Sequence, residues 1–181
     1  LKLISAFPPP TTYSESPRGF GGSTTTTAEN LPEGASYTVH NLIHFEDYET
    51  GMAYAKKVNK PVLLDFTGRQ CVNCRLMENN VWSDEIVLQI LKNEIVLISL
   101  YGDDKKMLPE SEWYVSKENG KLIDTVGEKW SEFQILRYQN NARPYYVLLN
   151  SNEEQLNKPI PYTPDIKEYT TWLKEGIANF K

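Results

Sequence analysis

Two short runs constrain this chain more than anything else in it. PVLLDF (61–66) and EIVLISLY (94–101) are apolar at nearly every position. A strand with one wet face alternates between apolar and polar residues, whereas a strand covered on both faces does not. Both runs are strand-sized, well short of the roughly 18 apolar residues that a membrane helix needs. Helical spacing follows the first run, so the two read as parallel strands joined through a helical crossover. With 181 residues, the chain is long enough for one domain with a substantial core.

The flanking pattern extends this reading. YTVHNLIHF (37–45) reads as a strand entering a turn. EDYETGMAYAKKVNK (46–60) has helical spacing, with Tyr48, Met52, Ala55 and Val58 on one face. A helix is expected from about Cys71 to Asn80, and another over DEIVLQILK, capped at Ser83–Asp84. Residues 102–128 are polar and carry the turn signals GDD, LPES and KENGK. They read as an insertion, in which Trp113 and Tyr114 serve either local packing or partner contact. SEFQILRYQ (131–139) predicts a helix capped by Ser131, and RPYYVLLN (143–150) a strand that opens at a proline. A short strand or turn follows SNEEQLNKP. TPDIKEYTTWLKEGIANF predicts a closing amphipathic helix, with Thr163 as cap, Pro164 at the first position, and Ile166, Tyr169, Leu173 and Ile177 inward. The sum is one α/β domain over 37–181, a mixed central sheet flanked by helices.

Residues 1–36 differ in kind. Their Pro, Gly, Ser and Thr content reads as an extended arm or linker, with the apolar opening LKLISAF able to dock elsewhere. The chain opens at Leu1 and shows no signal peptide, so a piece of a longer precursor or a trimmed form is expected. A net charge of −5 disfavours nucleic acid or a polybasic membrane patch as partner.

Cys71 and Cys74 are the two cysteines of the chain, placed between a buried strand and a helix. A helix N-terminus offers unpaired amides and partial positive charge, so a thiolate at Cys71 is favoured there. Cys74, one turn deeper, is placed to resolve a mixed disulfide formed by Cys71. Asp65, inside an apolar strand, is expensive unless it has a partner or a task, and burial should raise its pKa. That makes it a candidate proton acceptor for Cys74. Glu78 lies seven residues after Cys71 and four after Cys74, on the same helical stripe. A second carboxylate there opposes thiolate formation, while Arg69 and Arg75 favour it. A zinc site would need His40 and His44 as the other ligands, in an order and spacing unlike a finger. An inert disulfide closing so small a loop makes a poor staple. Pro144 reads either as an ordinary strand-start proline or, if cis, as backbone set against the cysteines to pair with an extended substrate.

Strand, CxxC and helix in that order, with Asp65 ahead and Pro144 behind, resemble the thioredoxin fold. VLLDFTGRQCVNCRLMENNVWSDEIV more narrowly resembles the C-terminal periplasmic domain of the DsbD family of transmembrane thiol:disulfide interchange proteins. EIVLISLY, VGEKWSEFQ, NARPYYVLLN and the opening LKLISAFPPP are similar to stretches of that family as well. The resemblance implies a protein-disulfide reductase that takes electrons from a membrane-embedded domain. It would pass them to periplasmic disulfide-bearing proteins or to cytochrome c maturation, as a monomeric domain tethered at the membrane. It implies Cys71 as attacking thiol, Cys74 as resolving thiol, Asp65 and Glu78 as the acidic pair, and Pro144 as a cis-proline. No cofactor or metal is expected beyond the cysteine pair itself. Gln70 stands where thioredoxins carry Trp, and Arg143 sets a bulky charge beside the substrate groove. The alternatives are a free-standing thioredoxin-like reductase and a non-catalytic binding module on the same scaffold.

Overall fold

Every residue of Val62–Thr67 and Val96–Tyr101 is buried, as the two apolar runs require. A computed structural model describes residues 31–181; the first thirty, with most of the expected arm and LKLISAF, lie outside the described residues. The unit that follows spans Gly34–Lys181. Its order is β1 (Ala35–Tyr37), β2 (Ile43–Phe45), α1 (Tyr48–Val58), β3 (Val62–Thr67), α2 (Val72–Asn80), α3 (Glu85–Asn93) and β4 (Val96–Tyr101). Then come β5 (Tyr114–Val115), β6 (Leu122–Ile123), α4 (Val126–Tyr138), β7 (Tyr145–Leu149) and α5 (Ile166–Ala178).

Five strands form one mixed sheet in the order β1-β2-β4-β3-β7. β4 runs parallel to both β2 and β3, while β1 and β7 pair antiparallel at the two ends. Strands β3, β4 and β7 each serve two layers. Leu63, Leu97, Tyr146 and Leu148 pack against Met77, Trp82, Leu91, Tyr169 and Leu173 of the α2, α3 and α5 side. Leu64, Phe66, Ile98, Leu100 and Val147 pack against Met52, Ala55 and Trp130 of the α1 and α4 side. The period of two survives, although neither face meets water.

Several sequence expectations need correction. YTVHNLIHF is not one strand: β1 ends at Tyr37, a 3₁₀ turn occupies Val39–Asn41, and β2 begins at Ile43. His40 and Asn41 take positive φ (56° and 60°), which turns the chain back on itself so that Ala35 pairs with Phe45. β1 thus begins inside the stretch read as arm. The 102–128 insertion contains a two-stranded hairpin, β5 against β6. Trp113 is a local packing residue there, its indole N–H donating to the Leu108 carbonyl (2.9 Å). Helix α4 starts at Val126 rather than Ser131, because Thr125 and Glu128 form a capping box; Ser131 donates instead to the Gly102 carbonyl (3.1 Å). Helix α5 is capped by Asp165, which accepts from the Glu168 amide (2.9 Å), so Thr163 and Pro164 precede the cap and Ile166 is exposed.

Candidate redox site

β3 ends at Thr67, and Gly68 carries the chain across to α2. A Cβ at Gly68 would lie 3.0 Å from the Asp103 carboxylate and 3.3 Å from the Cys71 Cβ, so glycine lets three segments converge here. Cys71 is the N-cap of α2, in extended conformation, and its sulfur accepts the Cys74 amide N–H (3.2 Å). Cys71 and Cys74 are joined as a disulfide with Cα atoms 5.3 Å apart. Cys71 is partly exposed, while Cys74 is 2% exposed. One sulfur is thus reachable and sits where the helix amides favour negative charge. Its mate is walled in.

The loop ahead of Cys71 is clamped by Asp103, just beyond β4. Its two carboxylate oxygens accept the amides of Arg69 (2.7 Å) and Gln70 (3.0 Å). Burial pushes the Asp103 pKa up, but the two amides and the nearby Arg143 outweigh it and hold it below the usual range. The Arg143 guanidinium lies against Gly102, next to this clamp. The Arg69 guanidinium stacks over the Tyr101 ring (3.7 Å) and pairs with Glu46 (2.7 Å) and Asp104 (3.3 Å). Arg75 pairs with Glu78 (3.0 Å). Both arginines expected to favour the thiolate therefore already face carboxylates.

Beneath α2, Asp65 is 3% exposed and its Oδ1 has no hydrogen-bond partner. Burial raises its pKa well above the ordinary value, the charge of Glu78 raises it further, and Arg75 offsets only part of this. Glu78 is buried rather than plain helix surface. Burial raises its pKa as well, against the opposing charge and hydrogen bond of Arg75. The structure therefore brings Cys71, Cys74, Asp65 and Glu78 to one end of β3 and one face of α2. Gln70 is exposed beside Cys71, and Val72 (71% exposed) and Leu76 present apolar surface on the same helix. The Arg143–Pro144 peptide is cis; Pro144 is buried and Arg143 exposed at the start of β7. The imidazoles do not join the sulfurs: His40 Nε2 bonds the Glu78 carbonyl (2.7 Å) and His44 Nδ1 bonds the Ser99 hydroxyl (2.9 Å). Among the described residues, no three His, Cys, Asp or Glu side chains group as metal ligands.

Sequence reasoning missed Asp103, Ser99 and the burial of His44. Each had a faint signal: the GDD turn directly after a buried strand, the lone hydroxyl in EIVLISLY, and a histidine between Ile43 and Phe45.

Comparison with known proteins agrees with this architecture. No curated protein matches the chain in sequence. Among solved structures, the DsbH oxidoreductase is 18% identical, with a TM-score of 0.56 over 86% of this chain and 95% of that one. A thioredoxin from Thermus thermophilus is 20% identical, with a TM-score of 0.51 over 73% of this chain and 85% of that one. The C-terminal domain of DsbD from Neisseria meningitidis, in its reduced form, is 17% identical at a TM-score of 0.47, over 71% of this chain and 92% of that one. Likenesses this distant speak to the fold, and the last is too loose to assign a branch. The family described as thioredoxin-like matches residues 43–151, more than half of the sequence and all of the strand–CxxC–helix unit. On that match, the chain belongs to the thioredoxin-like family.

Proposed function

We propose that this chain is a thiol:disulfide oxidoreductase that reduces protein disulfides through Cys71 and Cys74. The observation that carries the reading is the asymmetry of the pair. Cys71 is partly exposed at the start of α2, with its sulfur on the Cys74 amide, while Cys74 is buried, and on the buried strand that leads into the pair Asp65 has a raised pKa. In the reduced state the Cys71 thiolate attacks a partner disulfide, one partner sulfur leaves as thiolate, and a mixed disulfide forms. Cys74 gives its proton to Asp65 and its thiolate attacks the Cys71 sulfur. The second partner thiolate leaves, and the Cys71–Cys74 disulfide closes. Two electrons pass from the dithiol to the partner. Glu78 tunes the acidity of Asp65 through its charge, and Gln70, Arg143 and Pro144 flank the surface on which a partner segment would lie.

The finer reading is a relay. Electrons would come from a membrane-embedded thiol-transfer domain and go to periplasmic disulfide-bearing proteins, with this chain as the periplasm-facing, tethered and monomeric domain. Support for it is the run VLLDFTGRQCVNCRLMENNVWSDEIV and its likeness to the DsbD family. Among the described residues, no helix is long and apolar enough to cross a membrane.

The test is a trap in the native host. Cys74→Ser should accumulate a covalent mixed disulfide on Cys71, and Cys71→Ser should trap far less. Equal trapping by both variants would overturn the role assignment. The partner released by reductant distinguishes the routes: an integral membrane protein with paired cysteines supports the relay, and soluble clients alone support a free-standing reductase.

A further inference from the structure

A helix start favours the Cys71 thiolate, and a favoured thiolate stabilises the dithiol, which turns a cysteine pair into an oxidant. A pair that gives electrons away needs a charge that works against the helix.

We propose that Asp103 is a positioning residue of the exchange, which fixes the backbone leading into Cys71 and sets against its thiolate a negative charge that makes the pair more reducing. The sheet puts the carboxylate there. β3 and β4 are parallel neighbours in which Thr67 pairs with Tyr101, so the residues just beyond them, Gly68 and Asp103, come together. Gly68 shows how closely. The point its Cβ would occupy is 3.0 Å from Asp103 Oδ2 and 3.3 Å from the Cys71 Cβ. The sulfur is one bond beyond that Cβ, so charge and sulfur lie inside the roughly 10 Å over which salt screens.

Asp103 keeps its charge. Its oxygens accept the amides of Arg69 (2.7 Å) and Gln70 (3.0 Å), and among the described residues no ion pair includes it. The amides and Arg143 hold its pKa down, so it is ionised at neutral pH. The other charges around this loop are matched or stand apart. Arg69 faces Glu46 and Asp104, Arg75 of α2 faces Glu78, and Arg143 ahead of β7 lies against Gly102. Burial holds Asp65 of β3 toward its neutral form, and Tyr101 of β4, pushed up to about 12, is a neutral phenol.

The disulfide carries no charge on sulfur, whereas the dithiol gains one as Cys71 ionises. The Asp103 charge therefore penalises the dithiol alone. In exchange with glutathione, the Cys71–Cys74 disulfide and two glutathione thiols give the dithiol and one glutathione disulfide, with two electrons and two protons passing to the protein. The penalty draws that equilibrium back toward the protein disulfide, which makes the dithiol the stronger donor. For two unit charges at this range in a partly exposed site, the effect is about three- to tenfold.

This inference rests on the exchange reading, and one experiment separates the two. Protein reduced with a phosphine is alkylated with iodoacetamide across pH and scored by mass at Cys71, which gives the midpoint of thiolate formation. The same protein is equilibrated with glutathione redox buffers at about pH 5 and pH 9. Asp103→Asn should lower the midpoint by about 0.5–1 pH. It should also shift the glutathione equilibrium toward dithiol by about three- to tenfold at pH 9, or about 15–30 mV, and hardly at all at pH 5, where the thiols stay protonated. Asp103→Ser carries the same test where Asp103→Asn fails to fold. Asp103→Glu keeps the charge and should restore most of the wild-type midpoint. An unchanged or raised midpoint in the neutral variants overturns the proposal. So does an equilibrium shift of equal size at both pH values, or an Asp103→Glu midpoint as low as that of Asp103→Asn, since either marks a purely structural role. A wild-type pair that glutathione cannot cycle overturns the exchange reading itself, and the redox role of Asp103 with it.

Discussion

Removing the Asp103 carboxylate should loosen the approach to Cys71 by an amount that depends on pH. In Asp103→Ala the amides of Arg69 and Gln70 lose acceptors at 2.7 and 3.0 Å. Hydrogen bonds to charged groups contribute about 1.5–3 kcal/mol each when shielded. Here Arg69 and Gln70 are exposed and Asp103 is only partly buried, so water re-solvates the freed amides and screens the charge. About 1 kcal/mol per bond, hence about 2 kcal/mol in all, is the expected loss at pH 7. For a domain of this size that lowers Tm by about 4–8 °C. Asp103→Asn keeps one neutral acceptor and should lose about half as much. Because the Asp103 pKa is lowered in the folded state, its contribution is complete above the unfolded value of about 3.9 and disappears as pH falls through the folded value. Urea unfolding of wild type and Asp103→Ala at pH 7 and at about pH 3 measures both terms. A gap below about 0.5 kcal/mol at pH 7, or one just as wide at pH 3, would refute the clamp.

Two further outcomes follow from the same geometry. Asp65→Asn should be more stable than wild type at pH 8 and should gain less at about pH 4. A carboxyl whose folded pKa is raised by burial costs stability as pH rises from its unfolded value toward its folded one. Paired urea titrations at the two pH values read the sign, and the variant should also resolve mixed disulfides more slowly. Gly127→Ala places a Cβ 2.7 Å from the Asp104 backbone N and O and 2.8 Å from the Gly102 carbonyl, so backbone must move, at about 2–3 kcal/mol. Since the displaced loop carries Asp103, a thermodynamic cycle of Gly127→Ala with Asp103→Ala should be non-additive by more than about 0.5 kcal/mol.

The central strands and the cysteine helix were legible because burial on both faces and a CxxC at a helix start leave direct marks on the sequence. Helix α1 was placed to within two residues, since Tyr48, Met52 and Ala55 recur at helical spacing. What was misread lay where a local hydrogen bond overrode the visible pattern. Thr125 and Glu128 begin α4 more than a turn and a half earlier than Ser131 suggests, and Asp165 displaces Thr163 as the α5 cap. At the site, Cys71, Cys74, Asp65 and Glu78 are near one another in sequence and were found together. Asp103, Ser99 and His44 reach the site through strand order, which one-dimensional spacing does not encode. Arg69 and Arg75 read as cations near the sulfurs; Arg75 meets Glu78 one turn along its own helix, whereas the partners of Arg69, Glu46 and Asp104, are brought in by the fold.

The buried polar residues of the three inner strands are not scattered. His44, Asp65, Thr67 and Ser99 all fall on the face that meets α2, while their alternates Phe45, Leu64, Phe66, Ile98 and Leu100 face α1 and α4. Burying such groups is unfavourable unless each is paired, and Asp65 Oδ1 is not. An apolar residue at 65, 99 or 44 would pack with Leu63 and Leu97 and strengthen the layer that holds α2. A layer selected for stability alone would therefore resemble its opposite face. The division of labour is physical: the α1/α4 face holds the sheet by dispersion and apolar burial, which leaves the α2 face able to keep an unpaired buried carboxyl. In the proposed exchange such an acid would take the proton of Cys74, and the same desolvation that makes it destabilising raises its affinity for that proton.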